Sequence, residues 1–349
     1  MIPKTMKAVV IDGAKSAVVR EVSVPSPKPG ELLIELKKCL ICTWEQRIFG
    51  GNSSTALPFI PGHEASGVVA CVPEGTITSF KAGDKVVIKT LNHCGHCEEC
   101  YRGNDNQCMG TFKQRVYDGI PATGGLAQYI AMEVPRVFPF PGNDASFTEA
   151  AFSEPVACCV RSLEQADIKL SEDVVIVGTG IMGQLHNILS KMRGARTIIA
   201  EPDEARRKLA LELGADEAFN PLDGDPVATI KSLTGGRGAH VVFLTATMAK
   251  LAETYIGALA KMGRIVYYGS FHPDMDIAVN PNHIHYSEKH ITGSYSPNVR
   301  GFWTASRLLS YGLMDVGRFI SAEYPMRDCQ KAFEHAMDPS SYRVAISLE

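Results

Sequence analysis

No stretch of this 349-residue chain approaches the roughly 18 consecutive apolar residues that a membrane-spanning helix needs. Charge of one sign is missing too: 35 Lys plus Arg stand against 38 Asp plus Glu. A net charge of −3 leaves no broad basic field for nucleic acid or anionic lipid. There is no internal repeat and no low-complexity tract, and the opening residues MIPKTMKAVV lack the apolar core and small-residue cleavage site of a secretory signal. A cytoplasmic location is therefore expected, with small molecules as partners and neither nucleic acid nor membrane among them. With 45% hydrophobic and 21% charged residues the chain has ordinary soluble usage, and its length suits about two domains.

Two textures divide it. From Met6 to about Val137, short β-rich runs (MKAVVI, SAVVREV, ELLIELKKC, GVVACV, DKVVIKT) alternate with Pro- and Gly-rich turns, which predicts a compact β unit. From about Phe147, buried-strand runs (VVIVG, TIIAE, HVVFL, RIVYYG) alternate with helical stretches, the periodicity of βαβ units and a parallel sheet. Asp203 stands where the second of these helices needs an N-cap, and Gly214 where it needs a stop. From about Glu288 strand and helix mix again.

Ten cysteines in a reducing compartment read as metal ligands or small buried hydrophobes, not disulfides. Cys94, Cys97, Cys100 and Cys108 lie on one Gly-containing loop with the spacing C-x2-C-x2-C-x7-C. Four thiolates suit a closed tetrahedral structural zinc, in a lobe at about residues 92–110. A ferredoxin-type iron–sulfur run also begins C-x2-C-x2-C, but here the last spacing is longer and Met109 stands where that run has proline. The second motif is Gly178-Thr179-Gly180-Ile181-Met182-Gly183, between a predicted strand and a predicted helix, with the next strand ending at Glu201. Such glycines let backbone approach a pyrophosphate at a helix N-terminus, and the Glu201 carboxylate accepts from adenosine ribose hydroxyls. Its charge repels a 2′-phosphate, so NAD is expected before NADP; Arg206 and Arg207 on the following helix would offset part of that repulsion. A third, dispersed set is Cys42, His63-Glu64 and Glu154. Cys, His and Glu are all zinc donors, and three of them with an open position is the catalytic pattern. Spacing alone favours the plainer readings, a turn or core histidine at position 63 and a helix-end acid at 154.

Together these residues resemble the zinc-dependent medium-chain dehydrogenases/reductases of the alcohol dehydrogenase superfamily, in the sorbitol and threonine dehydrogenase branch. The resemblance runs over nearly the whole length and is carried by Ile41-Cys42, PGHEASGVV from Pro61, the four-cysteine lobe, GGLAQYI from Gly124, Glu154-Pro155 and VGTGIMG from Val177. It implies an α/β chain: a GroES-like β-rich catalytic domain (1–150 and 290–349) interrupted by a Rossmann doubly wound parallel-sheet domain (151–289), with the active site in the cleft. It implies Cys42, His63 and Glu154 as ligands of a catalytic zinc, Glu64 as an occasional alternative ligand, and a second, structural zinc. Hydride then passes between NAD(H) and a secondary alcohol or polyol-like substrate, or its ketone; a smaller amino or acidic alcohol, or an aldehyde, is the alternative, and a non-catalytic NAD-binding sensor the reading of another class. A homodimer or homotetramer is also implied, with Gly263–Gly269 near the pairing edge.

The departures are local. Relatives continue from the cysteine ligand as C-G-[ST]-D, whereas this chain reads Cys42-Thr43-Trp44-Glu45. Glu45 is expected to replace the Asp that supports the zinc site, and Trp44 has no hydroxyl, so a proton relay would run through Thr43, a water or a substrate group. Arg47 stands where relatives often have His. Gly293-Ser294-Tyr295 is followed by Ser296-Pro297, not by the Arg-Tyr that holds sugar hydroxyls, which counts against sorbitol itself. Cys39, Cys71, Cys158, Cys159 and Cys329 are expected to be packing residues, and His283, His285 and His290 structural.

Overall fold

The computed structural model describes residues 2–142, 145–271, 274 and 276–349. The chain forms two compact units, Met1–Ala157 with Pro297–Glu349, and Cys158–Ser296.

The first unit opens with the antiparallel pair β1 (Thr5–Gly13) and β2 (Ser16–Ser23). It continues through β3 (Glu31–Ile41), helix α1 (Thr43–Phe49), β4 (Glu64–Cys71), β5 (Lys85–Ile88), helix α2 (Glu98–Tyr101), β6 (Arg115–Tyr117), β7 (Ile120–Ala122), β8 (Tyr129–Glu133), β9 (Val137–Pro139) and helix α3 (Phe147–Ala151). Helix α4 (Ser153–Ala166) runs on past the end of this unit. Strand β3 organises the sheet, pairing antiparallel with β4 and β8 and with a C-terminal strand described below. Its side chains first alternate in a regular way, with Leu32, Ile34 and Leu36 in the core. A register shift between Leu36 and Lys38 then inverts the parity, so that Cys39 and Ile41 rejoin that core. The bulge therefore sets which way the chain leaves the strand at Cys42.

The second unit contains β10 (Asp173–Val177), α5 (Ile181–Met192), β11 (Arg196–Ala200), α6 (Glu204–Glu212), β12 (Glu217–Phe219), α7 (Pro226–Leu233), β13 (Ala239–Leu244), α8 (Ala249–Ile256), β14 (Leu259–Tyr267), α9 (Pro281–His285) and β15 (His290–Gly293). All six strands are parallel in the order β12-β11-β10-β13-β14-β15, the 3-2-1-4-5-6 order of doubly wound dinucleotide-binding sheets. Strand β10 is buried along its whole length, which is why it reads as a continuous apolar run. Asp203 caps α6 by accepting from the Arg206 amide at 2.8 Å, and Gly214 follows the helix with φ +93°.

Two expectations are corrected. Strand β15 pairs with β14, so the parallel sheet extends past the change of texture near Glu288. Strand β14 is flanked on both sides, by β13 and β15, so Gly263–Gly269 is not at an edge; the short, weakly apolar β15 takes that place.

The chain returns to the first unit as α10 (Val299–Ser310), β16 (Ile320–Pro325), α11 (Cys329–Ala336) and β17 (Arg343–Ser347). Strand β17 lies between β16 and β3, completing the order β16-β17-β3-β4-β5-β9 with β8 also on β3. No helix among the described residues is long and apolar enough to cross a membrane.

In the second unit α5 buries His186 completely. Its Nδ1–H donates to the Met182 carbonyl at 2.7 Å, and Nε2 accepts from the Ser162 hydroxyl at 2.9 Å. Burial lowers its pKa from 6.5 to about 4, only partly opposed by the bond to Met182. Between those values the unfolded chain binds a proton that the folded chain refuses, so stability rises with pH across that window. Acidification through it should cost up to about 3 kcal/mol from this group. In urea titrations at pH 7 and pH 5, His186→Gln is expected to lose less stability on acidification than the unaltered chain.

Candidate functional site: two metal donor sets and a glycine loop

Cys42 is the N-cap of α1, in extended backbone at φ −89°, ψ 166°. One turn into the helix, Glu45 is fully buried and serves three partners. Its Oε2 accepts from the Cys42 amide at 3.1 Å, while Oε1 accepts from the Gly62 amide at 3.2 Å and from His63 Nδ1 at 2.6 Å. The carboxylate thus fixes the helix start, the preceding loop and the ring of His63, whose Nε2 is left for another partner. Gly62 has φ +100°, and a Cβ there would lie 2.4 Å from the Leu126 amide nitrogen and 2.6 Å from the Gly125 carbonyl carbon. That close approach explains why a glycine pair near position 125 accompanies the PGHE segment: the Gly125 amide donates to the Gly62 carbonyl at 2.9 Å.

Cys42, His63 and Glu64 bring one donor atom each to within 4.8 Å of one another. Burial and the neighbouring Glu64 carboxylate raise the Cys42 thiol pKa, against opposing pulls from Arg343 and His63. Burial works against a charged His63, yet Glu45 and Cys42 outweigh it and hold the imidazole proton well above its ordinary range. A divalent cation bound here displaces both protons, because its ligands are a thiolate and a neutral imidazole.

Glu64 is fully buried and committed to Arg343 on β17, which donates from Nε at 2.9 Å and Nη2 at 2.8 Å. Arg343 is itself 3% exposed. Burial opposes its charge, but Glu64, Cys42 and then Glu154 more than compensate, so the guanidinium is held even more firmly protonated than usual. Glu154, in the first turn of α4, is half-buried and outside the three-donor group. Arg343 is the residue that sequence reading missed. Its one local signal is a cation inside the apolar run RVAIS, 279 positions from its carboxylate partner. Thr43 is exposed, and its hydroxyl makes no hydrogen bond among the described residues.

The second donor set is Cys94, Cys97, Cys100 and Cys108, again within 4.8 Å of one another. A tetrahedral zinc with bonds of about 2.3 Å to sulfur separates its sulfurs by about 3.8 Å. Cys97 Sγ and Cys108 Sγ lie 3.8 Å apart. That spacing fits four sulfurs sharing one ion, whereas an iron–sulfur cluster distributes its cysteines over several irons. Amides of Cys94 and Gly110 donate to Cys108 Sγ at 3.2 and 3.3 Å. Backbone donors from Cys100 and Met109 lower Cys97 to about 6, whereas burial pushes Cys100 up to about 12. The lobe is anchored through buried Asp105, which accepts from Lys89 Nζ at 2.9 Å and from the Val299 amide at the start of α10.

The glycine loop follows β10. Gly178 has φ +87°, a Cβ on Gly183 would lie 2.0 Å from the Gly178 carbonyl oxygen, and a Cβ on Gly180 would meet nothing within 4 Å. The first and third glycines thus close the turn, while the second faces open space. Gly180 is the N-cap of α5 and supplies no side-chain cap, so the amides of the first turn, at Ile181, Met182 and Gly183, lack helical acceptors. Amides left free in this way suit a pyrophosphate. Glu201 is 4% exposed and turned into the loop, Oε2 accepting from the Thr179 amide at 2.6 Å and hydroxyl at 3.1 Å, Oε1 from the Asp203 amide at 3.0 Å. Arg206 is half-buried on α6, and Arg207 donates to the Glu201 and Pro202 carbonyls at 2.8 and 2.7 Å.

None of the ten cysteines is paired in a disulfide. Cys39, Cys159 and Cys329 are buried, while Cys71 and Cys158 are only half-buried. His283, His285 and His290 are exposed and join no metal donor group among the described residues.

Comparison with known proteins agrees with this construction. Residues 28–142 match the alcohol dehydrogenase GroES-like domain, and residues 182–310 match the zinc-binding dehydrogenase domain. L-threonine 3-dehydrogenase of Pyrococcus furiosus is 32% identical over 90% of each chain. Sorbitol dehydrogenase of Bacillus subtilis is 27% identical over 96% of this chain and 95% of its own. A solved zinc-binding dehydrogenase from Sinorhizobium meliloti bound to NADP superposes with a TM-score of 0.88 at 26% identity, covering 99% of this chain and 100% of that one. The chain belongs to the zinc-dependent medium-chain dehydrogenases of the alcohol dehydrogenase superfamily, with a GroES-like domain and a Rossmann-like parallel-sheet domain. It is accordingly an enzyme, a zinc-dependent oxidoreductase of alcohol or polyol substrates linked to a nicotinamide cofactor.

The Glu45–His63 bond makes a specific demand on metal affinity. Glu45→Gln is expected to weaken zinc at the Cys42 set about 10–100-fold in chelator competition, while the four-cysteine ion stays bound.

Proposed function

We propose that the enzyme oxidises a secondary, polyol-like alcohol to its ketone, or reverses that reaction, at a zinc held by Cys42, His63 and Glu154, with NAD as the preferred acceptor. The observation that carries this reading is the convergence of Cys42 and His63 with Glu64 already neutralised by Arg343. Because Glu64 is occupied by a bidentate cation, Glu154 is the carboxylate left to complete the donor set, with Glu64 as the alternative when it leaves Arg343. Bound zinc supplies Lewis acidity to the substrate oxygen, and the nicotinamide ring exchanges the hydride.

The chain's own contribution is positioning. Glu45 holds the His63 ring, the first-turn amides of α5 receive the pyrophosphate, and Glu201 directly follows β11, where an acid meets the adenosine ribose. That acid supports NAD over NADP; Arg206 and Arg207 beside it are the groups that would tolerate a 2′-phosphate. The four-cysteine ion is structural, since all its ligands come from protein. Strand β15, exposed at the end of the parallel sheet, supports assembly into a homodimer or homotetramer. Cysteines grouped as metal donors support a reducing, cytoplasmic location.

The test is metal analysis with an NAD(H)-coupled screen of polyols, amino alcohols, hydroxy acids and their carbonyls, run on the unaltered protein and on Cys42→Ser. The expected result is about two zinc per chain with turnover, and about one zinc without turnover in the variant. One zinc in the unaltered protein and silence across the screen would overturn the reading in favour of a nicotinamide-binding sensor.

A further inference from the structure

Helix α1 carries a cation that nothing else in the site employs. Glu45, Ile48 and Phe49 form its buried face, and the less buried side presents Thr43, Trp44 and Arg47. The Trp44 indole stands edge-on to the His63 imidazole, with centroids 5.6 Å apart at 79°, and edge-on to Phe59 at 5.9 Å and 81°. These contacts pin it beside a proposed metal ligand. Arg47 lies one turn further along the same side, about 4.5 Å along the helix axis from Trp44 and about 7.5 Å from Cys42.

Arg47 is a half-buried residue, and its guanidinium makes no hydrogen bond, ion pair or ring contact among the described residues. Elsewhere in the chain Arg136, Arg196, Arg264 and Arg343 are each paired with a carboxylate. A guanidinium with five donors in a planar fork and no protein partner suits a carboxylate or phosphate.

We propose that Arg47 binds an anionic group on the alcohol substrate, so that the enzyme acts on a small hydroxy compound carrying a carboxylate or phosphate. The inference rests on the reading that Cys42 and His63 hold the reactive zinc. Trp44 then forms a flat wall between the reacting carbon and the anion, and the axial span from Cys42 to Arg47 keeps both ends within one small molecule.

The test uses matched substrates with the zinc-loaded full-length enzyme: D-gluconate against D-sorbitol, and glycerol 3-phosphate against glycerol, with kcat/KM measured for the unaltered protein, R47A and R47K. The expected result is a preference for at least one anionic member, a 10–100-fold fall in the anionic-to-neutral ratio for R47A, and partial recovery in R47K. The gluconate and glycerol 3-phosphate arms separate a carboxylate from a phosphate. KM for the cofactor should move far less than KM for the anionic alcohol; the opposite pattern would assign Arg47 to a cofactor phosphate and overturn the proposal. A neutral preference in both pairs, undisturbed by R47A, would overturn it too while leaving the dehydrogenase reading intact. Absence of turnover for all four compounds together with loss of zinc from the Cys42 set would instead sink the underlying reading.

Discussion

The geometry around Cys42 depends on one buried carboxylate. Glu45 has no exposed surface, and its two oxygens accept from the Cys42 amide, the Gly62 amide and His63 Nδ1. Each bond draws on a different element: the start of α1, the loop before β4, and the imidazole that follows that loop. A charge placed out of water is tolerated only when its partners are complete, so the three are held as a set. Gly62 and Gly125 then pack backbone on backbone behind the loop, at a separation that leaves no room for a side chain.

A second buried carboxylate needs a different solution. Glu64 is answered from β17, at the far end of the chain, by the bidentate Arg343. Strand β3 makes that meeting possible, because it pairs with β4 on one side and β17 on the other. Two acids, one guanidinium and a histidine held protonated by Glu45 balance their charges at the site. A divalent cation displacing the His63 and Cys42 protons keeps that balance close to neutral, which is the electrostatic reason these residue types occur together.

How much of this was legible in the sequence follows from the range of the interactions. The four-cysteine loop and the glycine turn are local: their residues lie within a few positions of one another, and spacing alone carries the geometry. The βαβ order of the second unit was legible because fully covered parallel strands read as apolar runs, whereas three-residue β12 and exposed β15 lack that pattern and were passed over. Cys42, His63 and Glu154 are linked in the sequence only by family resemblance, since they come from three separate elements; the structure groups Cys42 and His63 with Glu64. Arg343 was invisible because a single cation in a short strand acquires meaning only when a partner 279 residues away is known. Glu201 bonds inward to Thr179, a side-chain choice that residue identity does not determine.

The central claim is that one chain holds two chemically distinct zinc sites, one of sulfur alone and one of mixed donors. Zinc K-edge X-ray absorption on the purified full-length protein addresses it directly. The account predicts sulfur at about 2.3 Å together with a nitrogen and oxygen shell at about 2.0–2.2 Å, the second shell diminishing in His63→Ala while sulfur persists. A first shell of sulfur alone in the unaltered protein, at one zinc per chain, would contradict it.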